Sequence, residues 1–94
     1  MKIIWTEPAA NAFEQIQDYI AKDNAAAAYQ VAMTIEATVQ NLILHPKMGR
    51  IGRVRNTYEL VISNTPFIVA YRIKSEEIHI LSVFHTSRKW PEEF

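Results

Sequence analysis

Apolar residues recur along this chain with two different periods, and the change of period divides it. In the first half Ala9, Phe13, Ile16 and Ile20 follow at intervals of four, three and four, one helix stripe over about Glu7 to Lys22. Thr6 offers its hydroxyl to an orphan amide of the first turn, and Pro8 sits where a missing N–H leaves nothing unpaired. Glu14 and Asp18 fall off the stripe, on the solvent side. Asp23-Asn24 interrupts the pattern and can cap a second helix with the stripe Ala28, Val31, Ile35, Val39 and Leu42. That helix runs for about twenty residues and ends by His45, because Pro46 drives its predecessor out of the α region. Tyr19, Tyr29 and Met33 lie near the stripe edges and read as packing residues. Two amphipathic helices with a tight link predict an antiparallel hairpin.

From Arg53 the period becomes two. Tyr58, Leu60 and Ile62 alternate with Glu59, Val61 and Ser63, and Asn64-Thr65-Pro66 turns the chain. Phe67 to Ile73 is nearly all apolar, the pattern of a strand covered on both faces. Lys74-Ser75-Glu76-Glu77 turns it again, and Ile78 to His85 is the last strand. The short turns predict an antiparallel meander. Lys2 to Trp5 reads as a further short strand, and His45 to Gly52 as a loop whose two glycines predict unusual backbone angles. The order β-α-α-β-β-β predicts an α+β, two-layer fold, a helical hairpin packed on a small antiparallel sheet, as one domain over residues 1–94.

Composition narrows the function. Apolar residues make up 49% of the chain, enough for a core, and no cysteine is present, which excludes disulfides and thiolate metal sites. No 18-residue apolar run predicts a membrane span, and a cytoplasmic protein is expected. Up to Pro46 two cations face five carboxylates; from Lys47 to Trp90 eight cations face three. An acidic first half and a basic second half suggest one face for an anionic partner, or charges paired across the fold.

No metal-ligand spacing, phosphate-binding glycine loop or nucleophile context is present, and no cofactor is expected. What remains is a set of cations around a histidine. Arg53 and Arg55 open the first meander strand, Arg72 lies in the second, and His85 and Arg88 close the third. Guanidinium can hold a phosphodiester in a fork and imidazole can move a proton near neutral pH. The structural alternative pairs Arg72 with Glu59 across the sheet. In a regular strand His85 shares a face with His79, Leu81 and Val83, and Phe84 shares the other with Ile78 and Ile80. Lys89 adds a cation beside Trp90, which either folds back as core or stands out as an anchor for a partner.

Several segments together resemble the RelE/ParE superfamily of toxins from type II toxin–antitoxin systems. They are Glu7-Pro8-Ala9-Ala10, Asp18-Tyr19-Ile20-Ala21-Lys22-Asp23-Asn24, His45-Pro46-Lys47-Met48-Gly49-Arg50, Tyr58-Glu59-Leu60-Val61-Ile62, Ile68-Val69-Ala70-Tyr71-Arg72-Ile73 and Ile80-Leu81-Ser82-Val83-Phe84-His85. The resemblance spans nearly the whole chain. It implies a cytoplasmic, growth-inhibiting toxin of the kind that serves plasmid stabilization. Such a toxin forms a hetero-oligomer with a cognate antitoxin whose C-terminal segment wraps it along the helices and over the sheet.

The superfamily divides by target, DNA gyrase for ParE-like members and ribosome-bound mRNA for RelE-like endoribonucleases. Under the nuclease reading His85, Arg72 and Arg88 are the catalytic candidates. Arg53, Arg55, Lys89 and Trp90 are the binding candidates. The arginine that RelE-like nucleases carry at the start of the second meander strand is replaced by Ile68, and an apolar side chain cannot stabilise a phosphorane. A net charge of zero also departs from the basic surface that attraction to ribosomal RNA favours. The helical hairpin and Tyr71-Arg72-Ile73 look more like ParE, so the resemblance favours a gyrase-binding toxin over a nuclease.

Overall fold

The structure, a computed structural model, describes residues 1–87. In chain order it contains β1 (Lys2–Trp5), α1 (Glu7–Ala21), α2 (Ala25–Gln40), β2 (Arg50–Ile51), β3 (Tyr58–Val61), β4 (Phe67–Lys74) and β5 (Glu77–His85). The helix starts follow the capping residues. The Thr6 hydroxyl oxygen accepts from the Ala9 N–H at 3.4 Å, and Asn24 Oδ1 accepts from the Ala27 N–H at 3.0 Å. Thr6 has a second role. Its hydroxyl donates to the Ile80 carbonyl at 2.6 Å and its N–H to the same oxygen at 3.1 Å, which fixes the start of α1 to β5. α2 gives way at Asn41–Ile43 to a single 3-10 turn that buries Leu42 before the chain reaches Pro46.

The expected antiparallel meander forms, and the sheet extends it at both edges. The strand order is β1-β5-β4-β3-β2, with β1 parallel to β5 and the remaining pairs antiparallel, so the sheet is five-stranded and mixed. β2 lies in the segment expected to be a loop. It is two residues long, and an alternation that short carries no period to read. The sequence expectation of two layers holds, because the helices cover one face only. Ile35, Val39 and Leu42 pack with Leu60, Ile62, Val69, Tyr71, Ile78, Ile80 and Val83 in the main core.

One irregularity changes which residues share a face. Ala70 pairs with Ser82 but Tyr71 pairs with Ile80, so Leu81 is the extra residue of a β-bulge. Before the bulge Ile78 and Ile80 point to the helices; after it Val83 and His85 do. The expectation from a regular strand, His85 in phase with His79 and Phe84 with Ile78 and Ile80, is therefore overturned. His79 pairs with Arg72 on the face away from the helices, and Phe84 with Ile68 on that same face. There Ile68, Ala70, Leu81 and Phe84 form a second buried cluster.

The glycines were expected to adopt unusual angles and do not: neither has a positive φ. Those angles fall on Asn56, Asn64, Ser75 and Glu76. Ser75 and Glu76 are consecutive, the pattern of a two-residue primed turn built here without glycine. Among the described residues no helix is long and apolar enough to cross a membrane.

Candidate binding surfaces

The sequence grouped His85 with the arginines as one set. The structure separates them. Phe67 pairs with His85 at one end of β4, and Arg72 pairs with His79 near the other. Five residue steps along β4 separate the two positions, about 17 Å at the usual rise. The two side chains also leave opposite faces. The His85 ring lies edge-on to Phe67, with centroids 5.6 Å apart. Its Nδ1 accepts from the Ser87 N–H at 3.1 Å and contacts the Ser87 hydroxyl at 2.8 Å. A backbone N–H can only donate, so in neutral His85 the ring proton sits on Nε2, and that nitrogen has no lone pair to take a proton from a substrate.

Arg53 and Arg55 lie at the Arg72 end, in the segment that leads from β2 into β3. They precede the strand they were expected to open. Arg72 was offered Glu59 as a cross-sheet partner, and the structure gives Glu59 to Arg50 instead. Glu59 sits opposite Arg50 on β2 and Ala70 on β4. Arg50 Nε and Nη2 donate to Glu59 Oε1 at 3.1 and 2.8 Å, and the Arg53 N–H donates to Oε2 at 3.2 Å. Arg72 is half-buried, and its Nε is a buried donor without a partner among the described residues. Arg88, Lys89 and Trp90 lie outside the described residues.

A buried tyrosine holds the segment between α2 and β3. The Tyr71 hydroxyl donates to the Pro46 carbonyl at 2.8 Å and accepts from the Gly49 N–H at 3.0 Å, and its ring stacks on Tyr58 at 5.3 Å. Burial pushes the Tyr71 phenol above its usual value; the Gly49 N–H opposes that shift and neighbouring Tyr58 adds to it. Gly49 is required for space. A Cβ there would stand 2.8 Å from the Tyr71 hydroxyl and 2.9 Å from the Glu59 carbonyl oxygen. Sequence reading found Tyr71 and Gly49 as parts of apolar and loop patterns; nothing in either pattern revealed that they meet.

Two grooves flank these elements. One, about 550 Å³, runs between α1 and α2 over Trp5, Phe13, Met33 and Val39, with Glu14 and Glu36 among its lining residues. Trp5 stacks on Phe13 at 5.1 Å. Tyr19, Tyr29 and Met33, expected to pack, are instead exposed on the hairpin. The other groove lies between the end of α2 and the outer edge of β3, lined by Thr38, Asn41, Met48, Leu60, Val61 and Ser63 among others. Among the described residues no group of three His, Asp or Glu could hold a metal ion.

The family model described as "ParE toxin of type II toxin-antitoxin system, parDE" matches residues 3–90 of this sequence. "Putative toxin Y4kP" of Sinorhizobium fredii (strain NBRC 101917 / NGR234) is 40% identical over 91 residues, covering 97% of this chain and 94% of that protein. A solved chain from the chromosomal ParDE TA system of P. aeruginosa superimposes with a TM-score of 0.81 at 27% identity, over 90% of this chain and 95% of its own. The isolated E. coli RelE toxin superimposes with a TM-score of 0.63 over 94% of this chain and 86% of its own. Its 12% identity makes that a likeness of fold alone.

Proposed function

The chain belongs to the ParE toxin family of type II toxin–antitoxin systems, and on that premise we propose that it arrests bacterial growth by binding DNA gyrase in the cytoplasm, without nucleolytic chemistry, until a cognate antitoxin neutralises it in a hetero-oligomer. The observation that carries the choice of target is the separation of His85 from Arg72. A nuclease needs its proton-transfer group and its phosphate-holding cations around one phosphodiester. Here the two lie on opposite faces and about 17 Å apart along the strand. The engagement of His85 Nδ1 by a backbone N–H points the same way. Ile68, buried where the resemblance leads one to look for an arginine, adds support. Plasmid stabilization is the role that such a pair would serve.

The groove between α1 and α2 is the surface we assign to the antitoxin. Its floor is apolar and aromatic, and it suits one apolar face of a helix laid along it. The carboxylates Glu14 and Glu36 at the groove favour basic residues on that helix.

The deciding experiment is induction without antitoxin, with translation and DNA synthesis pulse-labelled in the same cells, followed by a gyrase supercoiling assay with purified protein. DNA synthesis should fall first and supercoiling should be inhibited, with translation initially intact. His85→Ala should leave that inhibition within about twofold of the parent. An immediate fall in translation, lost in His85→Ala, would overturn the proposal in favour of the ribosome.

A further inference from the structure

The segment from Ile43 to Arg55 combines two features that rarely share an exposed surface without a partner. It is aliphatic and it is basic. Ile51 is 85% exposed and Leu44 78%, and Met48 and Val54 are exposed beside them. No Asp or Glu occurs between Glu36 and Glu59, whereas Lys47, Arg50, Arg53 and Arg55 do. Arg50 is engaged by Glu59, and among the described residues Lys47, Arg53 and Arg55 make no ion pair. The segment is also held in place. Tyr71 bonds Pro46 and Gly49, Glu59 bonds Arg50 and the Arg53 amide, and the Gly52 N–H donates to the Thr57 carbonyl at 2.8 Å. A pinned backbone that presents aliphatic side chains to water is preorganised for contact.

The adjoining strand says what kind of contact. β2 covers only Tyr58 and Glu59, so among the described residues β3 has no neighbour on its outer edge beyond that point. The Ile62 N–H donates inward to the Phe67 carbonyl at 3.1 Å, and by alternation the N–H and C=O of Val61 point outward. The groove lined by Met48, Leu60, Val61 and Ser63 lies along this edge. An exposed strand edge takes a polypeptide backbone. Lipid and nucleic acid have no such backbone. The segment also lacks the Phe, Tyr or Trp on which unpaired bases stack or which anchor a protein in a membrane interface.

We propose that the open edge of β3, flanked by the segment 43–55, binds an extended acidic segment of a partner protein. That segment adds as a strand alongside Val61, sets aliphatic side chains against Met48 and Ile51, and places carboxylates at Lys47, Arg53 and Arg55. The site is distinct from the groove between the helices, and it stands if either the gyrase or the antitoxin assignment fails.

The test uses the purified 94-residue protein, isotopically labelled, and a synthetic peptide of alternating Glu and Val. Amide shift changes should centre on residues 48–52 and 59–63, and hydrogen exchange at the Val61 amide should slow at least fivefold. Ile51→Ser, and separately the double variant Arg53→Ser with Arg55→Ser, should each weaken binding about tenfold while melting as the parent does. Met33→Ser, in the helix groove, should bind as the parent. The proposal is overturned if the peptide does not bind, or if its shifts fall in the helix groove. It is equally overturned if the same peptide with Lys for Glu, a single-stranded oligonucleotide or phosphatidylserine vesicles bind the segment more tightly.

Discussion

The two ends of β4 are held by different means. At the Phe67 end the chain is held by a turn hydroxyl and by backbone groups. The Thr65 hydroxyl donates to the Ile62 carbonyl and accepts from the Phe67 N–H, and the Thr86 N–H reaches the Pro66 carbonyl. All of these lie at a turn near the surface, where water can replace a lost partner. At the Tyr71 end the bonds start from buried side chains. Tyr71 is fully buried and reaches back 25 positions to Pro46, and buried Glu59 reaches Arg50 and the Arg53 amide. Here a lost partner strands a buried group. The end that carries Arg53 and Arg55 is thus the end whose order depends most on the core.

The comparison breaks most sharply at Tyr71→Ala. Removing the ring leaves a cavity under the segment 46–57, and the expected loss is about 3–5 kcal/mol in urea unfolding. A loss below about 1 kcal/mol would show that the segment does not depend on the core. Gly49→Ala comes next. The new methyl would press on the Glu59 carbonyl oxygen, which is strand backbone and cannot swing aside, so a loss of about 1–3 kcal/mol is expected.

Tyr71→Phe keeps the ring and removes only the hydroxyl, leaving the Gly49 N–H and Pro46 carbonyl without their partner, for about 1–3 kcal/mol at neutral pH. This variant also has a pH signature. The folded phenol titrates above its usual value of 10.0, so the unfolded chain releases that proton first. The contribution of Tyr71 is therefore complete below about pH 10 and declines as pH rises beyond it. In Tyr71→Phe that part of the alkaline decline should be missing. The smallest effect belongs to the other end. Thr65→Ala should cost about 0.5–1.5 kcal/mol and leave the amide spectrum of residues 46–57 unchanged. If it disturbs that segment, the two ends are not independent.

The sequence made the helices legible because each stripe repeats over several turns, and Thr6 and Asn24 cap them as read. It made the core legible for the same reason. It misplaced His85 because a single extra residue, Leu81, inverts the alternation after Ile80, and nothing in Ile80-Leu81-Ser82-Val83 marks a bulge. It missed β2 because two residues hold no period. It misassigned Glu59 because strand order decides its neighbour: Arg50 is its partner across the β2–β3 pair, whereas Arg72 lies further along β4, past Ala70. The glycines were read as positions of unusual backbone angle when they serve as gaps, since the crowding atoms come from other segments, Tyr71 and Glu59 at Gly49 and Thr57 at Gly52. Candidate cations were identifiable by residue type, but their grouping into sites required the register.

The parallel pairing of β1 with β5 sets an order in time. Ile3 lies beside Ile78, and Thr6 beside Ile80, so the first strand has no partner until nearly the whole described chain exists. Contacts this distant in sequence form late. A chain still emerging from the ribosome therefore lacks the sheet on which its helical hairpin rests. The groove between the helices, whose lining includes Trp5 of β1, and the segment around Arg53, which waits for Tyr71 on β4, therefore both take shape only once the last strands are in place.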